Sequence, residues 1–292
     1  MAKGSAKVAY GRINRRSSGE PTLDRRPFAE DMLRLANSHE TKTQLGDRRW
    51  IASDLQSRDN GDTMVGLLGF EVEEQVRTFA EEDFSWIKGA TQYVQGAQEG
   101  TVVPFAVDLR DHRRWVAVAT SARIQHSAFA RGLQAVLNAA VEKVGLLTTD
   151  WEVDMITSSS NVIDWVSEHS GIKLFKRTVK FSNPGRDLDE DKQLMRAIHA
   201  TVKDEEYRAL GGDDLQLSGN PVFRDMLEGM DRGDVDVRLE ARDEGGRHVY
   251  TSKDRPDTTF IDAFGSLEDG MESVLNSLRA YSSKQTAKLT DH

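Results

Sequence analysis

Apolar and polar positions alternate over Lys7–Ile13, which predicts a first strand. After a polar loop, Pro27 opens a helix with Phe28, Met32 and Leu35 at helical spacing, because proline at a first helical position forfeits no hydrogen bond. Arg49–Leu55 and Thr63–Val72 read as two strands joined at Asn60-Gly61, a strong hairpin signal. An acidic segment over Glu81–Val94 reads as helical. Val102–Leu109 and Trp115–Thr120 form a second predicted hairpin, with Pro104 placing the first of these strands at an edge. Ile124–Val144 is the clearest helix: Phe129, Leu133, Val136, Leu137, Ala140 and Val144 make one apolar stripe, and Gly145 ends it. Trp151–Ile156 is a strand, Asn161 caps a short helix with Asp164 three residues on, and Ile172–Phe181 returns as a strand. A long helix is predicted from Leu188 to Arg208, stopped by Gly211-Gly212.

Beyond that point the pattern suggests a smaller module. Asn220 caps and Pro221 opens a helix, and Val235, Val237, Leu239 and Ala241 alternate with polar residues as in a half-buried antiparallel strand. Gly245-Gly246 turn into Arg247–Lys253, Thr258–Phe264 supplies a third strand, and Ser266 with Asp269 caps a last helix. The expectation is an α+β protein, with a mixed or antiparallel sheet and packed helices. It comprises a main domain over 1–209, a C-terminal helix-three-strand-helix module over 210–281 and a mobile tail over 282–292. No internal repeat or low-complexity stretch occurs.

Composition narrows the class. Of the 292 residues, 38% are hydrophobic and 30% charged, and the mean hydropathy of −0.57 argues against a membrane protein. The chain has no cysteine, which removes thiol nucleophiles, thiolate zinc sites and disulfides. The N-terminal residues lack the apolar core of a signal peptide, so a cytoplasmic location is expected. The net charge of −9 is segregated: residues 1–60 and 110–186 each carry +4, residues 61–109 carry −7 and residues 187–292 carry −10. An acidic total disfavours loose coating of nucleic acid but permits a focused basic groove. Such segregation also serves solubility alone.

The candidate chemistry follows from this charge pattern. Arg113, Arg114 and Trp115 sit near a hairpin turn. Lys173, Phe175 and Arg177 share one strand face, with Lys176 on the other. Cations interleaved with rings are what RNA or single-stranded DNA binding uses. The competing use of such a strand is an edge protected by lysine, with its rings in the core. Ser158, Ser159, Ser160 and Asn161 precede a helix and could hold a phosphate in a crevice, although ordinary capping explains them as well. Arg34 and His39 fit the loose Arg-x4-His spacing of metal-independent helical ribonucleases, an alternative reading as a phosphodiesterase or nuclease. Asp187, Asp189, Glu190 and Asp191 are spaced like oxygen ligands, yet Lys192 stands where a calcium loop needs glycine. The sequence calls for no metal and no cofactor.

The run Arg114-Trp115-Val116 through Phe129 and Leu133, then Gly171-Ile172 through Asn183-Pro184, and the Gly245–Ser252 hairpin resemble bacterial proteins of similar length associated with anti-phage defence. The resemblance implies an accessory or sensor subunit working with a nuclease, helicase or ATPase. No functional residue carries over from it. The expected function is a non-catalytic cytoplasmic module binding nucleic acid or a protein partner.

Overall fold

A computed structural model describes residues 4–17, 35, 41–80, 82, 85–93, 101–110, 114–143, 149–180, 190–200 and 202–290. The strands are β1 (Ser5–Ser17), β2 (Thr43–Leu45), β3 (Arg48–Arg58), β4 (Thr63–Ala80), β5 (Ser85–Tyr93), β6 (Val102–Asp108), β7 (Trp115–Ala119), β8 (Thr149–Met155), β9 (Ile172–Lys180), β10 (Val202–Arg208), β11 (Val235–Asp243), β12 (Gly246–Thr251) and β13 (Thr258–Asp262). The helices are α1 (His126–Lys143), α2 (Ser159–Glu168), α3 (Glu190–Ala197), α4 (Pro221–Met226) and α5 (Leu267–Thr290). The α+β expectation holds, as two antiparallel sheets with helices packed on them.

The larger sheet runs β13-β1-β7-β6-β4-β3-β2, with β5 on the far half of β4 and β8 on the far half of β1. It is covered on both faces. Val116 and Val118 of β7 join Phe105, Val107, Met64 and Leu68 against Phe129, Leu133 and Leu137 of α1. The intervening Trp115, Ala117 and Ala119 turn the other way, toward Met271, Val274, Leu278 and Tyr281 of α5. Burial on both faces explains why these strands read as unbroken apolar runs rather than alternating ones. In the smaller sheet, ordered β10-β9-β11-β12, Phe175, Val179, Val235, Val237 and Leu239 pack with Val162, Trp165 and Val166 of α2 and with Phe223 of α4.

Several local signals act as expected. Asn220 Oδ1 accepts the Val222 amide at 3.0 Å, and Ser266 Oγ accepts the Asp269 amide at 3.1 Å. The β3–β4 turn holds Asp59, Asn60 and Gly61 at positive φ, a region where asparagine and glycine are tolerated.

Other expectations are corrected. The segment predicted as an acidic helix contains strand β5, which pairs with β4. Pro104 lies in a central strand, not at an edge. The β6–β7 ladder begins one residue later, at Phe105 opposite Val118, so the missing N–H breaks no bond there. The predicted helix over 188–208 ends at Ala197; His199 takes a positive φ of 55°, and β10 follows. Helix α2 is capped by Ser158 rather than Asn161. The division at 209/210 cuts through the smaller sheet, since β9 pairs with both β10 and β11. Strand β13 joins β1 in the larger sheet and leaves the C-terminal module without its third strand. Residues 282–290 continue α5 in place of a tail, with Ser282 and Gln285 buried. The Pro27 helix lies outside the described residues except for Leu35, which is helical and buried.

Candidate functional site

The cations singled out on β9 are engaged within the fold. Lys173 Nζ reaches the Asp213 carbonyl at 2.8 Å and Asp214 at 2.7 Å, and Lys176 pairs with Asp204 at 3.1 Å. Arg177 lies between Asp191 at 2.6 Å and Glu205 at 3.0 Å, and Lys203 pairs with the same two carboxylates. Burial raises Asp191 and Glu205, but hydrogen bonds from Lys203 and Arg177 outweigh it and hold both carboxyls below their ordinary range. The rings are also committed. Phe175 is 1% exposed, edge-on to Phe223 at 5.2 Å, and Trp115 is buried edge-on to Tyr281 at 6.0 Å with Arg12 over its face. Arg114 is buried, and its carbonyl accepts the Ile13 amide at 2.9 Å. The expected groove of exposed cations and stacking rings is therefore not assembled by these residues. Arg113, Arg34 and His39 lie outside the described residues.

The sequence held an unread signal for this. Asp204-Glu205-Glu206 sits opposite Thr178-Arg177-Lys176 in the β9–β10 ladder. The complementarity is visible only when Val202–Arg208 is taken as a strand.

The serine run is likewise in use. Strands β8 and β9 belong to different sheets, so the segment between them is no crossover crevice. The amides of Ser158 and Ser159 donate to the carboxylates of Asp257 and Asp231, both at 2.9 Å, which occupy the positions a phosphate would take. Ser158 Oγ accepts the Ser160 amide as the cap, and the Asn161 side chain faces outward. Among the described residues no group of carboxylates or histidines is arranged to hold a metal ion. Asp191 serves Arg177 and Lys203 instead, and Asp187 and Asp189 lie outside the described residues.

Between the two sheets lies a buried ionic cluster. Lys180 of β9 contacts Asp154 of β8, Asp236 of β11 at 2.9 Å and Glu152 at 3.9 Å. Asn14 donates to the same Asp154 at 2.9 Å, and Arg12 of β1 reaches the Arg232 carbonyl at 3.1 Å and Asp234 at 3.5 Å. Burial pulls the Lys180 ammonium down, but Asp154, Asp236 and Glu152 together push it above the ordinary lysine range.

Two features remain open to a ligand. The first is a cleft of about 410 Å³ where the sheets meet. Asn161, Asp164, Trp165 and Glu168, spaced as one stripe of α2, line it together with Lys7, His126, Asp254, Arg255 and Pro256. Burial and the Lys7 charge lower the His126 imidazole, which keeps it neutral at pH 7, with only partial opposition from the Lys253 carbonyl and Asp254. The second is β13, whose ladder among the described residues is to β1 alone. Phe260 projects from it, 68% exposed, and pairs across the ladder with Lys7 of the cleft.

The architecture is thus an antiparallel α+β fold of two sheets with a polar cleft at their junction and an open strand edge beside it. No protein-family model, no curated protein and no solved structure matches the chain. No helix among the described residues is long and apolar enough to cross a membrane.

Proposed function

We propose that the chain is a non-catalytic binding module that takes a protein partner by strand addition to β13. The observation that carries this reading is Phe260, a large apolar side chain more than two-thirds exposed on an open edge. Thr258–Asp262 contains no lysine, arginine or proline, and its one charged residue, Asp262, stands at its end, away from Phe260. The Ala263 amide donates inward to the Gly4 carbonyl, so by alternation the amides of Thr258, Phe260 and Asp262 face outward, where an extended segment can pair with them. The internally paired cations of β9 favour protein over nucleic acid as the partner. The resemblance to anti-phage accessory proteins suggests a cytoplasmic nuclease, helicase or ATPase subunit as that partner.

The test is purification at low salt without nuclease treatment, for the wild type and for Phe260→Lys. The expected result is a stoichiometric co-purifying protein that protects the amides of 258–262 from hydrogen exchange. That protein is lost in the variant, while the melting temperature is unchanged. A 260 nm absorbance excess with no co-purifying protein, or a partner indifferent to Phe260→Lys, overturns the reading.

A further inference from the structure

The cleft gathers charged side chains of both signs that are not neutralised by one another. Many cations and carboxylates elsewhere do meet: Lys173 with Asp214, Arg110 with Asp108, Arg279 with Asp59, Arg238 and Arg247 with Glu240. In the cleft, the side chains of Lys7, Asp164, Glu168 and Asp254 make no ion pair or hydrogen bond among the described residues, and Arg255 only covers the Tyr250 ring at 5.1 Å. Asp164 and Glu168 lie one helical turn apart on α2, while Lys7, Asp254 and Arg255 reach the cleft from other segments. Buried Trp165 and half-buried Pro256 also line it. The volume falls within the range of small-molecule sites, roughly 300–1,000 Å³.

Taken together, these features suit a ligand that carries charges of both signs. A lone anion would meet Asp164 and Glu168, and a lone cation would meet Lys7 and Arg255. We propose that the cleft binds an ampholyte of the amino-acid class, with ammonium against Asp164 and Glu168 and carboxylate against Lys7 and Arg255. Two cations, Lys7 and Arg255, and three carboxylates, Asp164, Glu168 and Asp254, line the cleft, so a ligand of net positive charge completes the balance; L-lysine is favoured over L-glutamate. The same chemistry is offered by a free amino acid and by the end of a basic peptide. This inference uses none of the strand-edge contacts proposed for the partner and stands independently of them.

The experiment is titration of isotopically labelled full-length protein with L-lysine, L-glutamate, cadaverine and the dipeptide Gly-Lys, followed by NMR. The expected result is saturable displacement of the His126 ring and of backbone amides in 161–168 and 254–256. L-Lysine should bind about tenfold or more tightly than L-glutamate or cadaverine, because each lacks a charge-assisted contact. Gly-Lys binding more tightly than L-lysine identifies a peptide end as the source, and the reverse a free amino acid. Asp164→Asn with Glu168→Gln should weaken L-lysine about tenfold, and Lys7→Gln with Arg255→Gln should weaken it similarly. All four side chains are exposed, and an unchanged circular dichroism spectrum and melting temperature confirm that each variant is folded. No saturable displacement by any probe, equal affinity for L-lysine and L-glutamate, or affinity untouched by both double variants overturns the proposal.

Discussion

Lys180→Met should destabilise the protein by about 3–5 kcal/mol at pH 8, the range for removing one partner of a buried ion pair. The Lys180 side chain is 6% exposed, and it is the cation that Asp154, Asp236 and Glu152 share. Methionine keeps most of the volume and the apolar stem, so the loss is electrostatic rather than a cavity effect. Three carboxylates would then face one another with reduced solvation, with only the exposed Lys253 left beside Asp236 among the described residues. Lys180 is raised in the fold, so its contribution is full below the unfolded lysine value of about 10.4 and declines as pH rises through the higher folded value.

Urea unfolding followed by circular dichroism and tryptophan fluorescence measures the effect. Trp50, Trp115 and Trp151 lie in cores of the larger sheet and Trp165 in the core of the smaller one. Because the cluster joins β8 to β9 and β11, the variant should also separate the unfolding of the two sheets, seen as non-coincident transitions. A loss below about 1 kcal/mol at pH 8, with the transitions still coincident, would refute the idea that this cluster clamps the sheets together.

Two further predictions concern packing and charge. Gly132→Ala should lower the urea midpoint by an amount equivalent to about 1–2 kcal/mol, although alanine is the better helix former by about 1 kcal/mol. A Cβ at position 132 would lie 2.3 Å from Trp50 Cε3, and Trp50 is held by the core and by Phe70 at 5.1 Å; a neutral or stabilising result would sink this account of the α1 contact. Asp191 and Glu205 are depressed, so their stabilisation is present above their unfolded values and is lost as pH falls through the folded ones. Arg177→Met should flatten the acid limb of stability between about pH 5 and pH 2, measured by urea unfolding at each pH, and an unchanged slope would contradict the pairing.

The parts of the fold that were legible in the sequence are those governed by neighbours along the chain. The Asn220-Pro221 start, the Ser266/Asp269 cap, the Asn60-Gly61 turn and the stripe from Phe129 to Ala140 each depend on contacts within one or two turns. Val235–Ala241 was legible because one face is buried and the other is not. The misread elements are those whose local preference is overridden from outside. Val202–Arg208 carries helix-compatible residues, but Arg177 and Lys176 of β9 recruit its acidic run into a ladder. Ser85–Tyr93 is held as a strand by the long partner β4.

Candidate chemistry was the least legible. Lys173, Lys176 and Arg177 beside Phe175 form a pattern suited to nucleic acid only if their neighbours leave them exposed; Asp214, Asp204, Asp191, Glu205 and Phe223 do not. The cleft unites Lys7, His126, the α2 stripe and Asp254–Pro256, segments separated by more than a hundred residues in places. The sequence by itself determined the α+β class, the Asn220 and Ser266 caps, the Asn60-Gly61 turn and the charge each segment carries, because these follow from side-chain type and short-range spacing. Only the tertiary structure decided which charges cancel and which stay open. Electrostatic pairing and burial depend on distance in space, and that distance is set by how β1, β8, β9, β11 and β13 are ordered across two sheets.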